Sequence, residues 1–291
     1  MKIKIRRASS MTLNDEKTVM QTINEYYDHI FSAERKVADF ILAHPEKAVN
    51  SNVSELAKLS GVSDATVVRL CQHIGYKGHY QMRICLSRDI GSQQLEPNST
   101  ENTAENSVTQ LFQRYANSIV SIGRGISQED MIESAKMIST SQQTHIVAVG
   151  NTSALAQYLG FRLGRIGVRC TYNMIPEYFI NHINLATPND IVIAISKSGS
   201  SKQVVQALEL AKERGMKSIA VTGHEYSPVS NLADYVLVSN EEGSLWNGPK
   251  SYSHLAEMAV LDTLVAFTQQ VDSLLTQNAE KPEIIFSEYK I

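Results

Sequence analysis

Residues 190–205 read DIVIAISKSGSSKQVV. The run Ile191–Ile195 is short, wholly apolar and bounded by turn residues, the pattern of a strand buried on both faces of a parallel sheet. It ends in Ser196-Lys197-Ser198-Gly199-Ser200-Ser201, and a helical pattern follows from Lys202. In open α/β sheets, ligands sit outside the carboxyl ends of the strands. A serine-rich turn feeding a helix N-terminus offers hydroxyls, backbone N–H groups and the positive end of a helix dipole. These groups suit a phosphate monoester, with Gly199 letting the backbone approach the anion. A capped helix without a ligand is the plainer alternative.

The same alternation extends outward. Apolar runs at His145–Val149, Val168–Tyr172, Ser218–Val221 and Tyr235–Val238 join Asp190–Ile195, with helical patterns between most of them. This predicts an α/β doubly wound parallel sheet over residues 108–291. A second loop, Gly150-Asn151-Thr152-Ser153, leaves the strand ending at Val149. It holds one glycine and no Gly-Lys-Ser/Thr, so it is neither a dinucleotide fingerprint nor a P-loop. Asn151 and Ser153 are its candidate ligand groups. No internal repeat with a period of about 20–50 residues is present.

Residues 89–107 (DIGSQQLEPNSTENTAENS) are polar and almost without apolar anchors. They predict a linker, assigned to 91–107, between the α/β region and an all-α domain at 1–90. In that domain Val37, Phe40 and Ile41 share a helix face and Pro45 ends the run. Residues 52–78 read NVSELAKLSGVSDATVVRLCQHIGYKG. Asn52 is placed to N-cap a helix with Glu55 at its third position. Ala57 is small enough for close helix approach, Gly61 suits a left-handed inter-helix turn, and Val67 falls where a core plug is needed. Ser63 is expected to cap a second helix, with Asp64 favourable at its positive end.

This is the pattern of a helix-turn-helix whose second helix lies in the major groove of double-stranded DNA. Val67, Cys71 and Ile74 are its apolar face. Ala65, Thr66, Arg69 and His73 are read as its open face, with Arg69 the main base reader. Ser63, Lys77 and Gly78 are better placed for phosphates. An ordinary helical hairpin is the alternative, and His73 and His79 are read as surface residues rather than ligands.

Bulk properties agree with a soluble two-domain protein. The 291 residues are 43% hydrophobic and 20% charged. No run reaches the about 18 apolar residues of a membrane span, and no apolar segment follows the basic start at Met1–Ser10. Cys71, Cys85 and Cys170 lack zinc-ligand or redox-pair spacing and read as reduced, buried thiols of a cytoplasmic protein. No metal or cofactor is expected. The net charge of -3 divides unevenly: residues 1–90 carry 13 Lys/Arg and 10 Asp/Glu, and the remainder 14 and 20. Only residues 1–90 are suited to approach a polyanion.

Two resemblances sharpen this. FSAERKVADFIL at 31–42, His44-Pro45 and VSELAKLSGVSDATVVRLCQHIGYKG resemble the N-terminal domain of the RpiR family of sugar regulators over residues 15–90. Residues 146–275 resemble a sugar isomerase (SIS) phosphosugar-binding domain, through ISKSGSSKQVVQALELAKERG, SIAVTG, SPVSNLAD and HLAEMAVLDTLVAF. The second resemblance implies that Ser198 and Ser201 contact a phosphate, that Ser196 lines their loop, that Ser153 is the serine of the first loop and that Glu257 lies near the ligand. The chain departs from the family where Gly150-Asn151-Thr152-Ser153 replaces the frequent Gly-x-Gly-x-Ser.

The implied function is a transcriptional regulator of carbohydrate metabolism whose affinity for a pseudo-palindromic operator responds to a phosphorylated sugar. A homodimer or tetramer is expected, with Leu111–Ile122 and Leu255–Val271 as candidate subunit contacts. One alternative is a sugar-phosphate isomerase or lyase, with His254, Glu257, Glu241 and Glu242 as candidate proton-transfer groups. Another is a DNA-binding scaffold that ignores ligands.

Overall fold

The computed structural model describes residues 17–93, 108–240, 253–279, 281–287 and 289, and the chain divides into two compact units, one helical and one α/β. The helical unit begins with α1 (Val19–Tyr26), α2 (Ser32–Ala43) and α3 (Pro45–Asn50). Thr18 and Gln21 close a capping box on α1: Thr18 Oγ1 accepts from the Gln21 N–H, and Gln21 Oε1 accepts from the Thr18 N–H. Val37 and Ile41 of α2 are buried as expected and Phe40 is half-buried. Pro45 stops α2 and occupies the first position of α3, where its missing N–H costs nothing.

Helices α4 (Val53–Ser60), α5 (Asp64–His73) and α6 (His79–Gln93) follow. Asn52 Oδ1 accepts from the Ser54 and Glu55 N–H groups at 2.8 and 3.0 Å, and the Asn52 N–H donates to Glu55 Oε2 at 2.9 Å. That is the reciprocal box read from the sequence. Gly61, at φ 65°, closes α4: its N–H reaches the Lys58 carbonyl and the Val62 N–H the Ala57 carbonyl. Ala57 and Val67 are buried. Helix α5 packs on α2 and α6, and α6 on α1 and α3. His79 departs from its surface reading, because the first turn of α6 is buried there. Helix α6 runs to Gln93, into the first residues read as linker; 94–107 lie outside the described residues.

The α/β unit opens with α7 (Val108–Gly125) and α8 (Gln128–Thr140). It continues as β1 (Thr144–Val147), α9 (Ser153–Arg165), β2 (Cys170–Tyr172), α10 (Pro176–Leu185), β3 (Ile191–Ser196), α11 (Lys202–Glu213), β4 (Lys217–Thr222), β5 (Tyr235–Val238), α12 (Leu255–Val271), α13 (Ser273–Asn278) and α14 (Lys281–Ser287). The five strands form one parallel sheet in the order β2-β1-β3-β4-β5. Strand β3 explains its own continuous apolar run. Ile191, Ile193 and Ile195 enter one core with Leu159, Leu163 and Leu261, while Val192 and Ala194 enter the other with Phe179, Ile183 and Leu208.

The strand order reverses between β1 and β3, so the crevice of the sheet opens between the loops that follow them. Helix α12, read as a candidate subunit contact, spends Val260, Leu261, Leu264 and Val265 on the core. On α7, Ile122 is buried while Val108 and Phe112 are exposed. Burial pushes the Cys71 and Cys170 thiols up to about 12, so both stay protonated and inert. Among the described residues no helix is long and apolar enough to cross a membrane, and no cluster of three metal-ligating side chains occurs.

Candidate nucleic-acid interface and effector site

Helix α5 buries Thr66, Val67, Leu70 and Cys71, and leaves Ala65, Arg69, Gln72 and His73 exposed. Arg69 is fixed rather than loose: its Nε donates to the Ala65 carbonyl at 3.4 Å and its Nη2 to Thr66 Oγ1 at 3.3 Å. Thr66 therefore departs from the open-face reading. It lies one residue from the core plug Val67, on the packed side, and its hydroxyl is engaged by Arg69 and, at 3.0 Å, by Ser63 Oγ. Ser63 occupies the N-cap position with extended backbone angles, but its side chain makes no capping bond. Its hydroxyl is turned to Thr66 instead.

His73 Nδ1 lies 2.9 Å from Glu34 Oε2, and the Phe31 and His73 ring centroids are 5.6 Å apart. Glu34 is a buried carboxylate that also accepts from the Phe31 N–H at 3.2 Å. The end of α5 is thus pinned to the start of α2 through a residue that sequence reading missed. Glu34 falls three positions after Phe31, the spacing at which a glutamate reaches back to a helix start. Gln72 was missed too: three residues beyond Arg69 and seven beyond Ala65, it shares their face. Lys77 is exposed, its N–H donating to Gln81 Oε1 at 2.6 Å. Gly78 is half-buried, and a Cβ there would meet nothing within 4 Å.

In the α/β unit, the turn after β3 is held from within. Ser196 is 1% exposed and its Oγ donates to Ser201 Oγ at 3.1 Å. Ser198 Oγ accepts from the Ser200 N–H at 3.3 Å. Ser201 is the N-cap residue of α11, yet its side chain makes no capping bond. Gly199 answers to the protein itself: its φ is 63°, and a Cβ there would lie 2.3 Å from the Ser227 side chain. Its N–H reaches the Ser196 carbonyl and its carbonyl accepts from the Val229 N–H. The glycine is needed for the turn and for the Ser227 contact.

The loop after β1 is a single 3₁₀ turn, Gly150–Thr152, with Asn151 exposed and Ser153 Oγ donating to the Gly150 carbonyl at 2.6 Å. Thr152, passed over by sequence reading, donates to the carbonyls of Val149 at 3.0 Å and Ile195 at 3.3 Å. One hydroxyl thereby ties the first loop to the end of β3, across the crevice.

Glu257, in the first turn of α12, is 0% exposed. Its Oε1 accepts from Ser239 Oγ at 3.3 Å and lies 3.4 Å from Lys197 Nζ, which also donates to the Ser253 carbonyl at 2.9 Å. Its Oε2 lies 3.4 Å from His254 Nδ1 and has no hydrogen-bond partner among the described residues. Lys197 was not singled out from the sequence, though it sits inside the serine turn. Glu241 and Glu242 lie outside the described residues.

A helix-turn-helix and a parallel α/β unit with hydroxyl-lined loops at its crevice thus share one chain. The profile described as helix-turn-helix domain, rpiR family, matches residues 17–93, and the SIS domain profile matches residues 137–267. An uncharacterised HTH-type transcriptional regulator of Thermotoga maritima is 25% identical over 94% of this chain and 99% of its own length. The HTH-type regulator YbbH of Bacillus subtilis is 30% identical over 80% of this chain and 83% of its own. The solved structure of Vibrio vulnificus NanR complexed with ManNAc-6P shares the fold, with a TM-score of 0.81 at 22% identity over 94% of this chain and 99% of that one. The chain belongs to the rpiR family of helix-turn-helix transcriptional regulators, and its second unit is a SIS domain.

Proposed function

We propose that this regulator controls genes of carbohydrate metabolism from the cytoplasm and that its operator affinity is set by a phosphorylated sugar. The observation that carries the reading is the Ser196–Ser201 turn at the sheet crevice, braced to the Gly150–Ser153 loop through Thr152. Ser198, Ser201 and the backbone of the turn take the phosphate, with Ser196 and Gly199 shaping the turn and Asn151 and Ser153 on the opposite side. Glu257 presents a buried acceptor oxygen to a sugar hydroxyl. The complex of NanR with ManNAc-6P supports this ligand class.

On DNA, Arg69 and Gln72 read base edges, Ala65 and His73 lie on the open face against the groove, and Ser63, Lys77 and Gly78 face the backbone. Thr66 acts through Arg69. Two copies read half-sites about 10 bp, or a multiple, apart. The DNA-reading domain spans 1–90, the linker 91–107 and the effector domain 108–291.

A role without turnover fits Glu257, whose Oε1 is committed to Lys197 and Ser239. A thermal-shift series over hexose, pentose and amino-sugar phosphates, with each binder then assayed for turnover, tests this reading. Stabilisation by a phosphosugar without conversion is expected; conversion at enzymatic rates, or no stabilisation by any phosphosugar, would overturn it.

A further inference from the structure

Helix α5 is held at its last turn by a buried carboxylate. Glu34 of α2 is 3% exposed, and its Oε2 lies 2.9 Å from His73 Nδ1 while accepting from the Phe31 N–H at 3.2 Å. A carboxylate only accepts, so Nδ1 carries the proton and donates it to Glu34. Phe31 fixes the ring a second time: the two centroids lie 5.6 Å apart, with 36° between the planes. Turning the imidazole over would break the bond to Glu34 and leave a buried carboxylate short of a donor, which costs more than the bond itself. Nδ1 is therefore committed, and Nε2 is the polar atom the ring has left to offer. A buried carboxylate is also a weak source of stability, since apolar side chains of similar volume often hold such a contact as well. Its use here points to what it does for His73.

His73 is four residues after Arg69 and eight after Ala65, so the three share a helix face with Gln72, and all four are exposed. The His73 side chain is 40% exposed although its Nδ1 meets a carboxylate side chain that is 4% exposed. With Nδ1 protonated, Nε2 of the neutral ring is an acceptor. Phosphate oxygens donate nothing, so this nitrogen has no partner along the DNA backbone. In the major groove the donors on base edges are the cytosine N4 and adenine N6 amines. Arg69 is a donor only and cannot read them.

We propose that His73 reads a base amine, cytosine N4 or adenine N6, through Nε2, and that Glu34 is the positioning residue that keeps this nitrogen an acceptor and aims it. The proposal rests on the assignment of α5 as the helix in the major groove. Arg69 and His73 then read opposite chemistries, donor and acceptor, one helical turn apart.

The test begins with the full chain free of DNA. Nitrogen-15 imidazole spectra at about pH 8, above the ordinary histidine range, with His73→Gln identifying the His73 signals, should show the Nδ1–H form. In Glu34→Leu the Nε2–H form should gain. Affinity is then measured on a duplex selected by the wild type from a randomised pool, and on its single-base-pair substitutions. His73→Ala should lose about three- to tenfold and relax preference at one base pair per half-site. Glu34→Leu should relax the same base pair, Glu34→Gln should retain it by keeping an acceptor for Nδ1–H, and Glu34→Leu should add nothing to the preference of His73→Ala. The wild-type spectrum and the exposed His73 variants remain decisive if Glu34→Leu melts early. An Nε2–H form in the wild type, a loss in His73→Ala spread evenly over all sequences, as a phosphate contact would give, or a Glu34→Leu that folds and keeps its base preference would each overturn the proposal. Arg69→Ala separates the two levels. If it relaxes one position and His73→Ala none, this proposal alone fails; if neither relaxes any, the assignment of α5 fails and takes the proposal with it.

Discussion

The guanidinium of Arg69 donates to the buried hydroxyl of Thr66 at 3.3 Å, so the exposed side chain best suited to read a base edge is aimed from beneath the helix surface. Arg69→Ala should weaken operator binding by about 1–3 kcal/mol and relax preference at one position per half-site. Thr66→Val keeps the shape and removes the acceptor. It should lower the ratio of specific to nonspecific affinity by a smaller factor, with little change in nonspecific binding. Fluorescence anisotropy on operator and scrambled duplexes reads both, and an unchanged ratio for Thr66→Val would show that Arg69 does not depend on it.

Lys77 is exposed just beyond the turn at Gly75. Lys77→Ala should weaken all sequences alike and reduce the slope of log affinity against log salt by about 1. A loss confined to the operator would move Lys77 from phosphate contact to base reading.

His145 on β1 is buried, with Nδ1 2.7 Å from Thr171 Oγ1 and its ring 6.2 Å from that of His182. Burial pushes its pKa down; Asp190 opposes the shift and His182 adds to it. Because the unfolded chain takes up the proton first, stability is intact above the ordinary histidine pKa of about 6.5 and falls as pH drops below it. Melting temperatures from about pH 8 to about pH 5 should fall more steeply for wild type than for His145→Gln. Parallel profiles would assign the acid sensitivity to other groups.

Gly199 combines a φ of 63° with a Cβ position 2.3 Å from Ser227. Gly199→Ala should cost more than the about 1 kcal/mol of a left-handed alanine alone and should displace the serine turn. Thermal unfolding and phosphosugar titration should both register it, whereas Gly61→Ala, which meets no neighbouring atom, should cost stability and spare sugar binding. Sugar affinity unchanged in Gly199→Ala would separate the turn from the ligand.

Elements whose causes are local were legible. All five strands fall within two residues of their predicted starts and ends because each is a short apolar run closed by turn residues. The Asn52 box, the Gly61 turn and the α4–α5 pair follow from spacing alone. What escaped reading depends on the third dimension. Thr66 is polar, and only the rotation of α5 on its neighbours shows that its hydroxyl faces inward. Glu34 reaches His73 across 39 residues of sequence, and Lys197 reaches Glu257 across 60. Thr152 joins two loops that only the strand order makes neighbours. Gly199 was read for ligand approach, and the structure gives it a further cause in Ser227.

A phosphosugar bound at the Ser196–Ser201 turn should change the grip on DNA. This is tested most directly by titrating a stabilising phosphosugar against the operator complex of wild type and of Ser198→Ala/Ser201→Ala. For wild type, operator affinity should change by a coupling of about 1–3 kcal/mol, with sugar affinity changing by the same factor when DNA is bound. The double variant should bind operator normally without ligand and lose the response. An equal response in the two proteins, or none in a wild type that demonstrably binds the sugar, would contradict the account.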